Sequence, residues 1–282
     1  MLGRPSTEEK IQMFVITGAT GTVGRPLIEE LRRGGHKVRA LTRSPATAGL
    51  PADVEVADIA DLPFAGASAL FLNPAVTWGG PDALLARAKA DGVRRVVTLS
   101  SSSALDGGNP LGAHHLELER AVEATGLEWT HLRGDAFASN ALDWADQIRA
   151  DGVVRGPYAR AHTTPVHERD LAVVAAAALT GDGLVGARPV LTGPQSLTHA
   201  DQARAIGEAV GREVRYEETP PADFLEGMVQ RGVPAPIAEA LLSLWAGTVD
   251  RPRPVSPEVE RITGRPGLTF AEWAAGHAGD FR

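Results

Sequence analysis

The stretch Met13-Phe14-Val15-Ile16-Thr17-Gly18-Ala19-Thr20-Gly21-Thr22-Val23-Gly24-Arg25-Pro26-Leu27-Ile28 decides how the rest of the chain is read. Met13, Phe14, Val15 and Ile16 form an apolar run that predicts a short strand buried on both faces. Glycines at 18, 21 and 24 follow at once. Pro26 suits a first helical turn, where a missing N–H costs little. Leu27, Ile28 and Leu31 then supply an apolar helix face before Gly34-Gly35 stops it. Between a strand and a helix the three glycines have distinct uses. The first permits the turn, the second lets a pyrophosphate approach the backbone, and the third lets helix and strand pack closely. The N–H groups that open the helix attract negative charge, and Thr20 and Thr22 can add hydrogen bonds. The alternative is a tight connection that holds no ligand.

Outward from this turn, strand and helix signals alternate. Residues 36–41, Val54 with Val56, and residues 69–72, 96–99 and 127–133 read as further strands, with helices over 81–90 and 111–124. That alternation predicts an α/β fold, a doubly wound parallel (Rossmann) sheet whose ligand lies beyond the carboxyl ends of the strands. Farther on, Asp170 reads as the cap of an Ala-rich helix over 171–179, and Thr198 with Asp201 and Thr269 with Glu272 read as capping boxes. Proline-rich stretches at 219–221 and 233–236 separate short helical pieces. On this reading residues 1–150 form a dinucleotide-binding core. Residues 151–282 extend the sheet and add a smaller C-terminal α/β lobe over the substrate.

The chain's 282 residues suit one large domain or a domain with a lobe. With 28 Lys+Arg against 35 Asp+Glu the formal charge is −7, and no basic stripe is present, so nucleic acid is not an expected partner. The absence of cysteine excludes thiolate catalysis, Cys-ligated zinc and cysteine-held iron–sulfur clusters. No run approaches the ~20 apolar residues of a membrane span, and the opening MLGRPSTEEKIQ lacks a secretory signal's apolar centre. A cytoplasmic protein without a membrane partner is the expectation. His162, His167, Glu168 and Asp170 follow no metal-ligand spacing, so no metal is expected, and no G-x-S-x-G elbow marks a serine hydrolase.

Arg43 ends the second predicted strand, where a dinucleotide's adenosine ribose arrives. Its forked donors suit a 2′-phosphate and favour NADP, with NAD possible, although a solvated arginine would look the same. Asp58 follows the third strand and either meets the adenine edge or caps the next turn. Phe71, Trp78, Phe137 and Trp144 offer aromatic surface to a cleft for a flat substrate, with Asn73 and Asn140 as polar contacts. Phe71 fits the core better, since it lies in a buried-strand run, whereas Trp78 stands beside Gly79-Gly80.

Three segments together resemble the NmrA-like branch of the atypical short-chain dehydrogenase/reductases. They are the bend over 18–24, Leu99-Ser100-Ser101, and Thr130-His131-Leu132-Arg133-Gly134-Asp135-Ala136-Phe137-Ala138-Ser139-Asn140. Leu191-Thr192-Gly193-Pro194 and Phe270-Ala271-Glu272-Trp273 extend the likeness over most of the chain, and Arg133-Gly134 departs from the family's frequent Arg-Pro. The resemblance implies an NAD(P)-binding Rossmann domain with a small lobe covering a substrate cleft. Gly18, Thr20, Gly21, Thr22, Val23 and Gly24 would then contact the pyrophosphate, Arg43 and Asp58 the adenosine region, and Asn73 and Ser100 the nicotinamide half.

Ordinary short-chain reductases deliver a proton from Tyr-x-x-x-Lys, in which the lysine lowers the tyrosine pKa. Here the tyrosines are Tyr158 and Tyr216 and the lysines Lys10, Lys37 and Lys89, so that pairing cannot occur. Aligning Glu119 with the family's acidic helix position puts His115 where the lysine falls and Leu111 where the tyrosine falls. His115, as ribose contact or proton relay, and Ser101, polarising a carbonyl, are the candidate catalytic residues, unless His114-His115 merely decorate a helix start. The expected function is NAD(P)H-dependent oxidoreduction of a small organic molecule of aromatic, quinone or polyketide-like type. A non-catalytic NADP(H) sensor, or an auxiliary tailoring protein for oxygenation or cyclisation in secondary metabolism, is the alternative. The scarcity of lysine and abundance of alanine suggest a GC-rich bacterial gene.

Overall fold

Alternate residues along the first strands face opposite sides, and each side is apolar, so the sheet has to be covered on both. The computed structural model describes residues 12–77, 79–105 and 108–282. Its first half runs β1 (Met13–Thr17), α1 (Gly24–Arg33), β2 (Lys37–Thr42), β3 (Glu55–Asp58), β4 (Ala69–Leu72), α2 (Asp82–Ala90), β5 (Arg95–Ser101), α3 (Pro110–Ala124) and β6 (Glu128–Gly134). Then come α4 (Ala145–Asp151), β7 (Val153–Gly156), β8 (His162–Thr163), α5 (Glu168–Thr180), β9 (Val190–Leu191), β10 (Leu197–Thr198), α6 (His199–Val210) and β11 (Arg215–Glu218). The helices α7 (Pro221–Gln230), α8 (Ala235–Ala246), α9 (Glu258–Thr263) and α10 (Phe270–Gly276) complete the chain.

Seven strands form one parallel sheet in the order β3-β2-β1-β4-β5-β6-β9, the doubly wound arrangement expected. The order reverses between β1 and β4, and a crevice opens at their carboxyl ends. Phe14, Ile16 and Phe71 face one layer, where Leu27, Ile28 and Leu31 of α1 meet Leu171, Val174 and Ala178 of α5. Val15, Leu70 and Leu72 face the other, against Leu84 and Leu85 of α2 and Leu118 and Val122 of α3. Residues past 150 therefore serve both parts of the molecule. β9 extends the sheet and α5 covers it, while β7 and β11 pair in parallel inside a lobe with its own core around Ile148, Ile206, Phe270, Trp273 and Phe281.

The capping boxes of α6 and α10 form as the sequence predicts. The cap of α5 does not: His167 Nδ1 accepts from Arg169 N (3.2 Å), one turn earlier than expected. Asp170 instead faces inward, fully buried. It accepts from Leu268 N (2.7 Å) and pairs with Arg265 (2.9 Å), because a buried carboxylate needs donors from outside its own helix. Trp144 requires a second correction. Expected on the cleft, it stands edge-on to His199 and Tyr216, with ring centroids 6.2 and 5.9 Å away, inside the lobe. It leads directly into α4, whose Ala145 and Ile148 face the lobe core, and the side chain follows them. Trp78 lies outside the described residues.

His199, the first residue of α6, is held between Trp144, Tyr216 and Trp245. Burial pushes its pKa down to about 4, against hydrogen bonds that the ring donates to the Pro157 and Tyr158 backbone carbonyls, which favour the charged form. The unfolded chain, with a histidine pKa of about 6.5, binds that proton more readily. Stability is therefore lost as pH falls from about 6.5 to about 4, by about 3 kcal/mol for this residue. Denaturant midpoints measured across that window will show a shallower decline in His199→Phe than in the native protein.

Candidate active site

β1 delivers the chain into the bend at Gly18, whose φ of +62° favours glycine, and Gly21 N donates to Gly18 O (3.0 Å) to close the turn. At Gly24 a side chain is excluded outright, since a Cβ there would stand 2.2 Å from Gly18 O. α1 thus begins directly against the strand end. It has no capping side chain and no acidic residue in its first turn; Arg25 N donates to Gly21 O (3.2 Å) and Pro26 has no N–H, so the Gly24 N–H is the one its first three residues offer to an anion from outside. Arg25 reaches back to Thr20 O (3.1 Å), Ala48 O (2.8 Å) and Gly49 O (3.1 Å), stapling the bend to the loop after β2. Thr17 Oγ1 donates to Phe71 O (3.0 Å) and accepts from Asn73 N (2.8 Å), which ties the ends of β1 and β4 together. This cradle fits a dinucleotide's pyrophosphate.

Three adjoining chambers follow the carboxyl ends of the strands. An outer one of about 430 Å³ is lined by Gly18, Thr20, Arg43 and Ile59 among others. A middle one of about 750 Å³ has Gly21, Thr22, Val23 and Asn73 on one side and Ser100, Ser101, His115, Phe137 and Asn140 on the other. An inner one of about 480 Å³ shares Ser101, Leu111, His115, Asp135 and Asn140 with the middle chamber and ends against α8. Arg43 is exposed at the outer chamber, and its guanidinium makes no hydrogen bond or ion pair among the described residues.

On α3, Leu111, His115 and Glu119 recur every fourth residue and share a face. Leu111 and His115 line the chambers, and Glu119 lies buried beneath them. Glu119 accepts from Ser100 Oγ (2.6 Å), Arg133 Nε (3.0 Å) and Arg133 Nη2 (2.6 Å). Burial by itself would raise its pKa, but these donors outweigh it and hold the carboxyl below its usual range. Burial, assisted by His114, lowers the His115 pKa against the pull of Glu119, so the ring is neutral at neutral pH. Ser101 Oγ accepts from Ser103 Oγ (2.8 Å) and Ser103 N (3.2 Å), which leaves its own proton to donate.

The structure therefore brings the bend, Arg43, Asn73, Ser101, His115, Phe137 and Asn140 to one trough. Two expected cofactor contacts have partners within the protein. The Ser100 hydroxyl is committed to Glu119, so only the rest of that residue borders the chamber. Asp58 caps the turn Ile59–Asp61, its Oδ1 accepting from Ala60 N (2.9 Å), and the next residue, Ile59, lines the outer chamber. Gly134 leaves room for the Phe137 ring, since a Cβ there would lie 2.6 Å from it.

Sequence reasoning missed Arg25, Asp135 and Arg253, and it considered His162 only as a metal ligand. Asp135 sits just past β6, a position that could have signalled it. Arg253 comes from 118 residues away and left no local sign. Glu119, Glu123 and His131 bring ligand-type atoms within 4.8 Å of one another, but Arg133 holds Glu119 and Arg188 holds Glu123 (2.6 Å), so guanidiniums already balance these carboxylates.

A doubly wound parallel sheet with an open, glycine-lined helix start at its switch point defines a dinucleotide-binding protein. Residues 18–182 match a family model described as NAD(P)H-binding. A (4-alkanoyl-5-oxo-2,5-dihydrofuran-3-yl)methyl phosphate reductase of Streptomyces griseus is 36% identical over 95% of this chain and 99% of its own length. An NAD(P)H azoreductase of Xenophilus azovorans is 32% identical over 95% and 99%. The NADPH complex of an NADPH-dependent quinone oxidoreductase from Escherichia coli superposes with a TM-score of 0.78 at 26% identity, covering 94% of this chain and 99% of that one. The chain belongs to the NAD(P)H-binding family and is an NAD(P)-dependent oxidoreductase. No helix among the described residues is long and apolar enough to cross a membrane.

The Glu119–Arg133 pair is a sharp test of how the cleft floor is held. Arg133→Met takes both guanidinium donors from a buried carboxylate, leaving it Ser100 Oγ and the more distant Arg188 Nε (3.9 Å), and will cost about 3 kcal/mol in denaturant unfolding. The double variant with Glu119→Leu will recover most of that loss.

Proposed function

We propose that this protein transfers the reducing equivalents of NADPH, in preference to NADH, to a conjugated, electron-poor acceptor such as a quinone, an azo compound or an unsaturated lactone. The observation that carries the reading is Leu111. It holds the helix position expected of the catalytic tyrosine and faces the chambers, and no tyrosine or lysine lines them among the described residues. A site without a phenol acid suits acceptors whose reduced form is a resonance-stabilised anion, because such an anion takes its proton from a weak donor or from water. The furanone, azo and quinone groups in the names of its relatives are all conjugated acceptors.

NADPH held in the trough would supply a hydride, two electrons with one hydrogen, and become NADP⁺, and the acceptor would complete its reduction with a proton. The chain's own residues do the rest. The bend and the start of α1 hold the pyrophosphate, and Arg43 meets the 2′-phosphate with donors that no other described residue occupies. Ser101, with its proton free, donates to the acceptor heteroatom as charge develops there. Neutral His115 holds a ribose hydroxyl or passes a proton inward from solvent. Phe137 and Asn140 orient the flat acceptor, and the reaction is placed in the cytoplasm.

Oxidation of NADPH followed by absorbance with menadione, an enone and an azo dye tests the reading. Complete inertness with tight NADPH binding would sink it. Arg43→Ala will weaken NADPH binding about ten-fold or more while leaving NADH nearly unchanged. Ser101→Ala will lower kcat about a hundred-fold with NADPH affinity retained.

A further inference from the structure

We propose that the inner chamber takes the anionic headgroup, phosphate or carboxylate, of an amphiphilic substrate at Arg253 and His162, with its alkyl or aryl body against α8. The proposal rests on the reductase reading above and names the class of molecule reduced.

The chamber has two characters. α8 contributes Leu241, Leu244 and Trp245, while Arg253 and His162 bring cationic and hydrogen-bonding groups from elsewhere in the chain. A cavity that combines an apolar wall with a few fixed polar groups selects a ligand with both parts. Those polar groups are held in place before any ligand arrives. Arg253 N donates to Ser196 Oγ (2.8 Å), and the same oxygen lies 3.3 Å from His162 Nδ1, leaving Nε2 as the ring's remaining polar atom.

The Arg253 guanidinium is aimed by a single bond, from Nη2 to Asp135 Oδ1 (2.9 Å). Asp135 is itself engaged by Ser102 Oγ (2.7 Å) and Thr164 Oγ1 (2.5 Å), so it acts as an anchor. Nε and Nη1 of Arg253 donate to nothing among the described residues, and the side chain keeps 26% of its surface exposed. A guanidinium fixed at one nitrogen and open at the others offers charge-assisted donors to an anion. Ser101 borders this chamber and the middle one, so a molecule anchored here by its headgroup extends its reducible end toward Ser101.

The test is calorimetric titration of the NADP⁺-saturated full chain with octyl phosphate, octanoate, 1-octanol and inorganic phosphate. The better of octyl phosphate and octanoate will bind at least about ten-fold more tightly than both octanol and inorganic phosphate, and it identifies the headgroup. Arg253→Gln will remove that about ten-fold advantage while octanol and NADP⁺ affinities stay within about two-fold. Arg253→Lys, which keeps the charge, will fall between the two and serves if the glutamine variant fails to fold. Octyl anions that bind no better than octanol, or equally well to Arg253→Gln, overturn the proposal. Failure to take up NADP⁺ overturns the reductase reading instead, and titration of the unloaded protein and its Arg253→Gln variant then decides the chamber's preference by the same comparison.

Discussion

Gly18 O lies so near the backbone of Gly24 that no side chain fits between them, and much of the molecule is arranged around that contact. Because α1 starts against the end of β1, the N–H of its first residue, Gly24, opens at the place where strand order reverses. The apolar face of α1 must then lie along the sheet, and α5 packs beside it to complete that layer. Arg25 holds the bend from outside, and Thr17 with Asn73 holds it from the neighbouring strand. A rigid cradle of this kind spends little ordering free energy when an anion arrives.

A second set of ties fixes the opposite wall. Ser100 on β5, Glu119 on α3 and Arg133 on β6 meet in one buried network, so the helix carrying Leu111 and His115 is registered against two strand ends. Asp135 extends this toward the lobe by gathering Ser102, Thr164 and Arg253. Both networks join segments far apart in sequence, and both lie beneath or beside the chambers. The floor is therefore set by charge-assisted bonds, while the roof, made by α8, is set by apolar contact.

The residues read correctly from sequence share a property: their partners are near in the chain. Thr198 with Asp201 and Thr269 with Glu272 close their boxes within one turn. Asp170 was misjudged because its donors, Leu268 N and Arg265, come from the far end of the chain, leaving the local cap to His167. Trp144 was misjudged because the same aromatic surface suits a cleft or a core, and only the packing of His199 and Tyr216 decides between them. β7 and β11 were invisible for a related reason. β11 is Arg215-Tyr216-Glu217-Glu218, without an apolar run, and its partner β7 lies far back in the chain.

The sequence by itself determined the strand, bend and helix of the nucleotide cradle, the parallel sheet built out from it, and the lack of a Tyr-x-x-x-Lys proton donor. Each of these follows from residue spacing within a few turns of chain, where geometry is dictated by the backbone. Only the tertiary structure decided that Ser100 serves Glu119 and that Arg253 meets Asp135 across 118 residues beside His162 and α8. Those outcomes depend on which distant donors and apolar faces arrive at the same place once the sheet and lobe have packed, and no local pattern encodes that.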